Sequence, residues 1–155
     1  MAHVSEEIRV ERPVSDVYNQ WTQFEEFPEF MGSVEQVQQQ DDTHLHWKAT
    51  VAGQTAEWDA EITEQVPDRV IAWRATEGVQ NEGRVQFQAE GDGATRVSLE
   101  LVVEPEGVVQ TAGDMMGALQ SQVRQDLDRF KQLIESREQA SGEWRGEVHD
   151  GGQPR

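Results

Sequence analysis

Five stretches between residues 43 and 104 repeat one pattern, and that repetition constrains the fold more than anything else in the chain. "THLHWKATVA", "TAEWDAEITEQV", "RVIAWRAT", "GRVQFQAE" and "TRVSLELVVE" each alternate apolar with polar residues. A period of two marks a strand with one buried and one solvated face. Short turn-forming separators join them: "GQ" at 53–54, "PD" at 67–68 and "GDG" at 91–93. Strands joined this tightly run antiparallel, because a parallel neighbour needs a crossover of a dozen residues or more. The pattern predicts a meander of five strands. "HVSEEIRVER" at 3–12 adds a first strand with Val4, Ile8 and Val10 on one face, and a less clear strand falls near 33–40.

Facing residues in an antiparallel pair have position numbers of constant sum, so each turn predicts a register. With "GQ" as a two-residue turn, Ala49 faces Trp58, Trp47 faces Ala60 and Leu45 faces Ile62. With "PD", Val66 faces Arg69, Ile62 faces Trp73 and Ala60 faces Ala75. Across "GDG", Ala89 faces Thr95 and Phe87 faces Val97. One face then collects the apolar side chains, among them Trp47, Trp58, Trp73, Phe87, Val97 and Leu99. The other face is charged, with His46 expected opposite Glu61, Lys48 opposite Asp59, and Arg74 opposite Glu61. His44 and His46 lie two apart on one strand, but no third ligand joins them by spacing, so no metal site is predicted.

Helical spacing appears in three places. "PVSDVYNQW" at 13–21 opens on a proline, as helices tolerate, and repeats Val14, Val17, Tyr18 and Trp21. A second short helical piece over 24–31 is bent by Pro28 and ended by Gly32. A long amphipathic helix is expected over about 110–137, where Met116, Leu119, Val123, Leu127, Phe130 and Ile134 form one stripe. Residues 1–137 read as one domain. Residues 138–155 lose periodicity, gain glycine and read as a disordered acidic tail in which Trp144 is unexplained.

Charge removes several function classes. The formal net charge is −17, with lysine only at Lys48 and Lys131. Nucleic-acid binding draws on Lys and Arg against phosphates, so no nucleic-acid partner is expected. Docking on anionic lipid is disfavoured for the same reason. The absence of cysteine excludes disulfides, thiolate metal sites and a cysteine nucleophile. No apolar run reaches about 18 residues and no signal-peptide pattern opens the chain, so a cytoplasmic protein without stable membrane insertion is expected. Neither a nucleotide-binding loop nor a cofactor motif is present, and no cofactor is predicted.

A sheet with one apolar face needs a cover, and the long helix is the obvious one. Large rings beside small residues on that face suit either an interlocked core or the wall of an apolar cavity. The arrangement of elements resembles the helix-grip fold of the START-like superfamily, also called SRPBCC, and its polyketide cyclase/dehydrase and coenzyme Q-binding branch. The likeness rests on "VERPVSDVYNQWTQFEEFPEFM" at 10–31, "AEWDAEITEQVPDRVIAWRATEG" at 56–78 and "NEGRVQFQAEGDGATRVSLEL" at 81–101. The resemblance implies an α+β architecture: a curved antiparallel β-sheet wrapped around a long C-terminal α-helix, with two short helices after the first strand. It also implies a hydrophobic cavity gripped between sheet and helix.

On that implication Phe27, Pro28, Phe30 and Met31 stand at the cavity lip, with Phe30 and Met31 the better candidates for ligand contact. Trp47, Trp58, Trp73 and Phe87 line the sheet side, and Met115, Met116 and Leu119 the helix side. The implied partner is a hydrophobic small molecule: a polyketide, an isoprenoid quinone or a lipid. A second reading is a cyclase/aromatase/dehydrase, which needs a general acid or base. Glu6 is the weak catalytic candidate, with Tyr18, Asn81 and Glu82 behind it, while Arg74 falls on the outer face. A third reading is a filled-core accessory protein acting through an unknown protein partner. Monomer and homodimer both remain open, since the first strand offers a free edge.

Overall fold

A computed structural model describes residues 2–32, 34–51, 54–78, 80–104, 112–136, 142, 145–146, 148–149 and 153–154. The alternating stretches become strands β1 (Ala2–Val10), β2 (Val34–Gln39), β3 (His44–Val51), β4 (Gln54–Val66), β5 (Val70–Gly78), β6 (Gln80–Ala89) and β7 (Thr95–Glu104). They form one antiparallel sheet in the order β1-β7-β6-β5-β4-β3-β2. Helix α1 (Val14–Trp21) and a 3-10 helix (Phe24–Glu29) follow β1, and α2 (Ala112–Glu135) follows β7. None of the described helices is long and apolar enough to cross a membrane.

The register of β6 and β7 is as expected, with Phe87 opposite Val97 and Ala89 opposite Thr95. The β3–β4 hairpin differs. Val51 pairs with Gln54, so the connecting pair is 52–53 and Trp47 faces Trp58 directly, while Leu45 faces Ala60. His46 consequently faces Asp59, and Lys48 faces Glu57. A slip of two residues leaves every side chain on its expected face and changes only its partner. Between β4 and β5 two departures compensate. The turn has three residues rather than two, Asp68 taking a left-handed conformation (φ 65°) that aspartate tolerates. A bulge between Ile62 and Glu64 then restores the expected pairs Ile62–Trp73 and Ala60–Ala75.

The C-terminal part of α2 is fastened to β1 and to the residues just after it. Near its C-terminus the Arg12 guanidinium donates to the carbonyls of Ile134 (3.0 Å) and Glu135 (2.8 Å), groups left without an intrahelical partner. Lys131 Nζ donates to the Arg9 carbonyl at 2.8 Å. Val123, Leu127, Phe130 and Ile134 face the sheet and are buried.

Residues 138–155 read from the sequence as a disordered acidic tail, and the described ones among them touch the domain. Val148 pairs with Gln65, extending the sheet along the part of β4 that projects beyond β3. Arg145 donates to Asn19 Oδ1, forms an ion pair with Asp68 at 2.8 Å and sits 5.5 Å from the Tyr18 ring centroid. Gly142 lies so close to the Gln23 side chain that a Cβ would collide with it. This part of the chain straps the end of α1 to the β4–β5 turn. Trp144 lies outside the described residues.

Candidate functional site

The greasy segment after α1 packs because two periodicities coincide. Helical spacing puts Val17, Tyr18 and Trp21 on one buried face of α1. The 3-10 helix repeats every three residues, so Phe24, Phe27 and the following Phe30 project to one side. Trp21 then sits among four phenylalanines, with ring centroids 5.8 Å from Phe27, 5.6 Å from Phe30, 6.1 Å from Phe87 and 4.7 Å from Phe130. Tyr18 meets Phe87 edge-on at 5.4 Å. Trp21 and Phe30 are each only 1% exposed. Phe30 and Phe87 are therefore members of a closed cluster, and Met31 is buried beside it. The backbone of Met115, Met116 and Leu119 belongs to α2, but their side chains lie outside the described residues.

A second aromatic group occupies the β3–β4–β5 side of the concave face. The Trp47 and Trp58 rings are 5.8 Å apart and within 8° of parallel, and Trp73 lies 6.3 Å from Trp47 at 24°. Phe27 links the two groups at 5.5 Å from Trp47. Trp73 lies over its cross-strand partner Gly83, where a Cβ has no room. The isolated glycine in "NEGRVQF" is the sequence signal for such a close approach. Trp47 is buried, whereas Trp58 and Trp73 are only half-buried. The structure thus brings the three predicted wall tryptophans together, without the alanines expected between them.

Several buried polar atoms, in both aromatic groups and farther along β4, lack a partner. The indole Nε1 of Trp21, Trp47 and Trp58 and both amide atoms of Gln65 are buried without a hydrogen-bond partner among the described residues. An unmet buried donor or acceptor costs about 1–3 kcal/mol. Gln65 escaped the sequence reading because strict alternation along β4 points it outward. The bulge at 62–64 reverses the parity and pairs it with inward Ile71.

The candidate acid has another task. Glu6 accepts from Arg124 Nε at 2.9 Å and Gln120 Nε2 at 3.2 Å, bracing β1 against α2. The Arg124 hydrogen bond holds its carboxyl below the ordinary range, opposite to what a general acid needs. Asp126, which was not singled out from sequence, is the buried carboxyl. Its Oδ1 accepts from the Gly32 N–H at 3.0 Å and from Gln122 Nε2 at 2.8 Å, tying α2 to the segment after Met31. Burial pushes its carboxyl above the ordinary range. Arg74 points outward to Glu61. Glu82 is exposed and Asn81 half-buried on β6, while Tyr18 is in the closed cluster.

His44 bonds to Asp41, and His46 lies between Asp59 (2.7 Å) and Glu57 (3.0 Å) on the outer face. Among the described residues no group of three or more His, Asp or Glu is arranged to hold a metal.

A curved seven-strand antiparallel sheet gripping a C-terminal helix, with an aromatic wall on its concave side, is a helix-grip fold. The chain belongs to the polyketide cyclase/dehydrase and lipid transport family, whose model matches residues 10–131. It is 46% identical over 149 residues to an uncharacterized 17.2 kDa protein of Streptomyces lincolnensis, covering 96% of this chain and 99% of that one. Its fold is similar to that of a crystallised Deinococcus radiodurans protein at 28% identity and TM-score 0.71, covering 88% of this chain and 98% of that one. The Zhui aromatase/cyclase from Streptomyces sp. R1128 is similar at 19% identity and TM-score 0.74, with 92% and 98% covered. A START superfamily protein of Mycobacterium smegmatis follows at 16% identity and TM-score 0.70, with 86% and 99% covered. At such identities the last two are similar in fold alone.

Proposed function

We propose that the chain binds a hydrophobic small molecule between the concave face of the sheet and α2. One observation carries the reading: Trp58 and Trp73 stay half-exposed on the face that α2 covers, stacked against Trp47. A core closed around these rings would bring them to the exposure of Trp21. Large flat side chains with few rotatable bonds make a binding wall at low entropic cost, and a few polar groups among them orient the occupant. The family description supports a polyketide or a lipid as the occupant, and an isoprenoid quinone shares the same chemistry.

Carriage is favoured over catalysis. Glu6, the candidate acid, is held ionised in a brace between β1 and α2. Mass spectrometry of the purified protein, first native and then denatured, tests the binding reading. A non-covalent adduct of defined mass is expected in the native spectrum, lost on denaturation and lost in Trp73→Ala. An adduct retained unchanged by Trp73→Ala and Trp58→Ala overturns the placement of the site on this wall.

A further inference from the structure

The back of the tryptophan wall carries a charged histidine. His46 Nδ1 lies 2.7 Å from Asp59 Oδ1, and its Nε2 lies 3.0 Å from Glu57 Oε1. Carboxylates only accept, so both ring nitrogens have to donate, and only the imidazolium has two N–H groups. Glu57 and Asp59 are the neighbours of Trp58 along β4, while His46 adjoins Trp47 along β3. Trp47 and Trp58 are direct cross-strand partners with rings 5.8 Å apart. One protonated side chain on the outer face therefore ties together the two backbone stretches that present the stacked pair on the inner face.

This tie falls where the ladders on either side are irregular. On one side of β4 the register shifts between Asp59 and Ala60, so pairing with β5 is interrupted beside Trp58, which meets Gly78. Beyond β3 lies the six-residue edge strand β2, with its own shift between Val34 and Gln36. The surrounding charges favour the proton. The Asp59 hydrogen bond, then the Glu57 one, raises the His46 pKa above the ordinary histidine value. Glu77 of β5 stands opposite Asp59. Lys48, opposite Glu57, opposes the proton from β3, where His44 is engaged by Asp41 and faces Glu61. From β2, Gln38 stands opposite His46.

We propose that His46 is a proton-controlled clamp on the tryptophan wall: its imidazolium, bonded to Asp59 and Glu57 behind the β3–β4 hairpin, holds Trp47 and Trp58 in their stack, and its deprotonation weakens ligand binding. This concerns the regulation of the binding site described above and rests on that reading. The clamp is fully present below the unfolded-chain value, about 6.5, and is lost as pH rises through the higher folded one. With the proton goes one N–H, and a ring lone pair is left facing a carboxylate.

Two readouts separate the clamp from the ligand. Amide hydrogen exchange of the unliganded protein, compared between the parent and His46→Gln at equal pH, reads the hairpin alone. N-phenyl-1-naphthylamine, an apolar fluorophore that stays uncharged between pH 6 and pH 9, reads the wall. At pH 6 the β3–β4 amides of the parent are expected to exchange about threefold more slowly than those of His46→Gln, on the scale of partly exposed ion pairs. At pH 9 the two proteins are expected to exchange alike. The parent is expected to bind the fluorophore about threefold more tightly at pH 6 than at pH 9. The midpoint of that change is expected to coincide with the titration of the His46 imidazole followed by NMR. His46→Gln is expected to show the weaker affinity at both pH values, and His44→Gln to titrate like the parent.

An affinity that is flat with pH, that still titrates in His46→Gln, or whose midpoint departs from that of His46 overturns the clamp and leaves the binding reading standing. Equal exchange in the parent and His46→Gln at pH 6 overturns it as well. Failure of the fluorophore to bind at any pH overturns the binding reading, and with it the control of binding by His46.

Discussion

Two tryptophan environments on one concave face show how the same residue type becomes either core or wall. Trp21, on α1, is enclosed by rings arriving mostly edge-on from the 3-10 helix, β6 and α2. Trp47, Trp58 and Trp73 all rise from neighbouring strands of one sheet, so they meet nearly parallel. Side chains from four elements converge and close a space, whereas those from one pleated surface stand side by side and leave their outer faces to be covered by something else. The contrast lies in topology, since the rings are alike.

The largest expected effect tests that contrast directly. Trp21→Ala removes the hub of the closed cluster and is expected to cost about 3–5 kcal/mol of stability. Trp58→Ala, at a half-buried site, is expected to cost about 1–2 kcal/mol. Urea denaturation of both variants provides the comparison. Equal losses would make the stacked group ordinary core and remove the ground for a binding wall.

This division was only half legible in the sequence. Alternation placed each tryptophan on the inner face, and a two-residue slip in the β3–β4 turn did not disturb that, since a period of two survives even shifts. Partnership did not survive: Trp47 meets Trp58 rather than Ala60. Gln65 was hidden because bulges depend on local hydrogen bonding that an alternating pattern does not encode. Phe30 read as a lip residue from family likeness, yet the three-residue period of its helix turns it into the closed cluster between Trp21 and Phe130. The strap failed to register because its contacts are few and long-range. One arginine and one strand residue hold it, amid a composition that otherwise signals disorder.

The strap offers the next test, since the contacts of its described residue Arg145 fall at the α1 end of the closed cluster. Arg145→Ala removes the contacts to Asn19, Asp68 and the Tyr18 ring. A partly exposed ion pair and a cation–π contact together are worth about 1–2 kcal/mol. The melting temperature is expected to fall by roughly 2–6 °C, with the adduct in the native mass spectrum unchanged. A loss of ligand binding without a loss of stability would place the strap at the binding face instead.

Glu6 and Asp126 both join α2 to the rest of the fold, and their pH responses should run in opposite directions. For Glu6 the folded-state carboxyl is held down by Arg124, so its contribution is present above the unfolded value, about 4.3, and disappears as pH falls through the folded one. Glu6→Gln is expected to lower the melting temperature slightly at pH 7 and to converge on the parent protein in acid. Convergence at pH 7 instead would mean that the brace carries no net stability.

Asp126 gives the smallest and most discriminating effect, because it binds α2 to the segment that leads out of the closed cluster. Burial raises its folded-state carboxyl, so the native state holds a proton more firmly than the unfolded chain does. Its favourable contribution is full below the unfolded value, about 3.9, and is lost as pH rises through the folded one. Asp126→Asn keeps an oxygen to accept from the Gly32 N–H and removes the buried charge. The variant is therefore expected to match the parent at low pH and to exceed it at pH 7, by less than about 1 kcal/mol on the scale of single hydrogen-bonded groups. Thermal melts of the two proteins from pH 4 to pH 8 measure the gap. A variant less stable than the parent at pH 7 would show that the carboxylate's bonds to Gly32 and Gln122 outweigh its desolvation. The junction beside the closed cluster would then be an ionic clasp, set apart from the aromatic wall by chemistry as well as by packing.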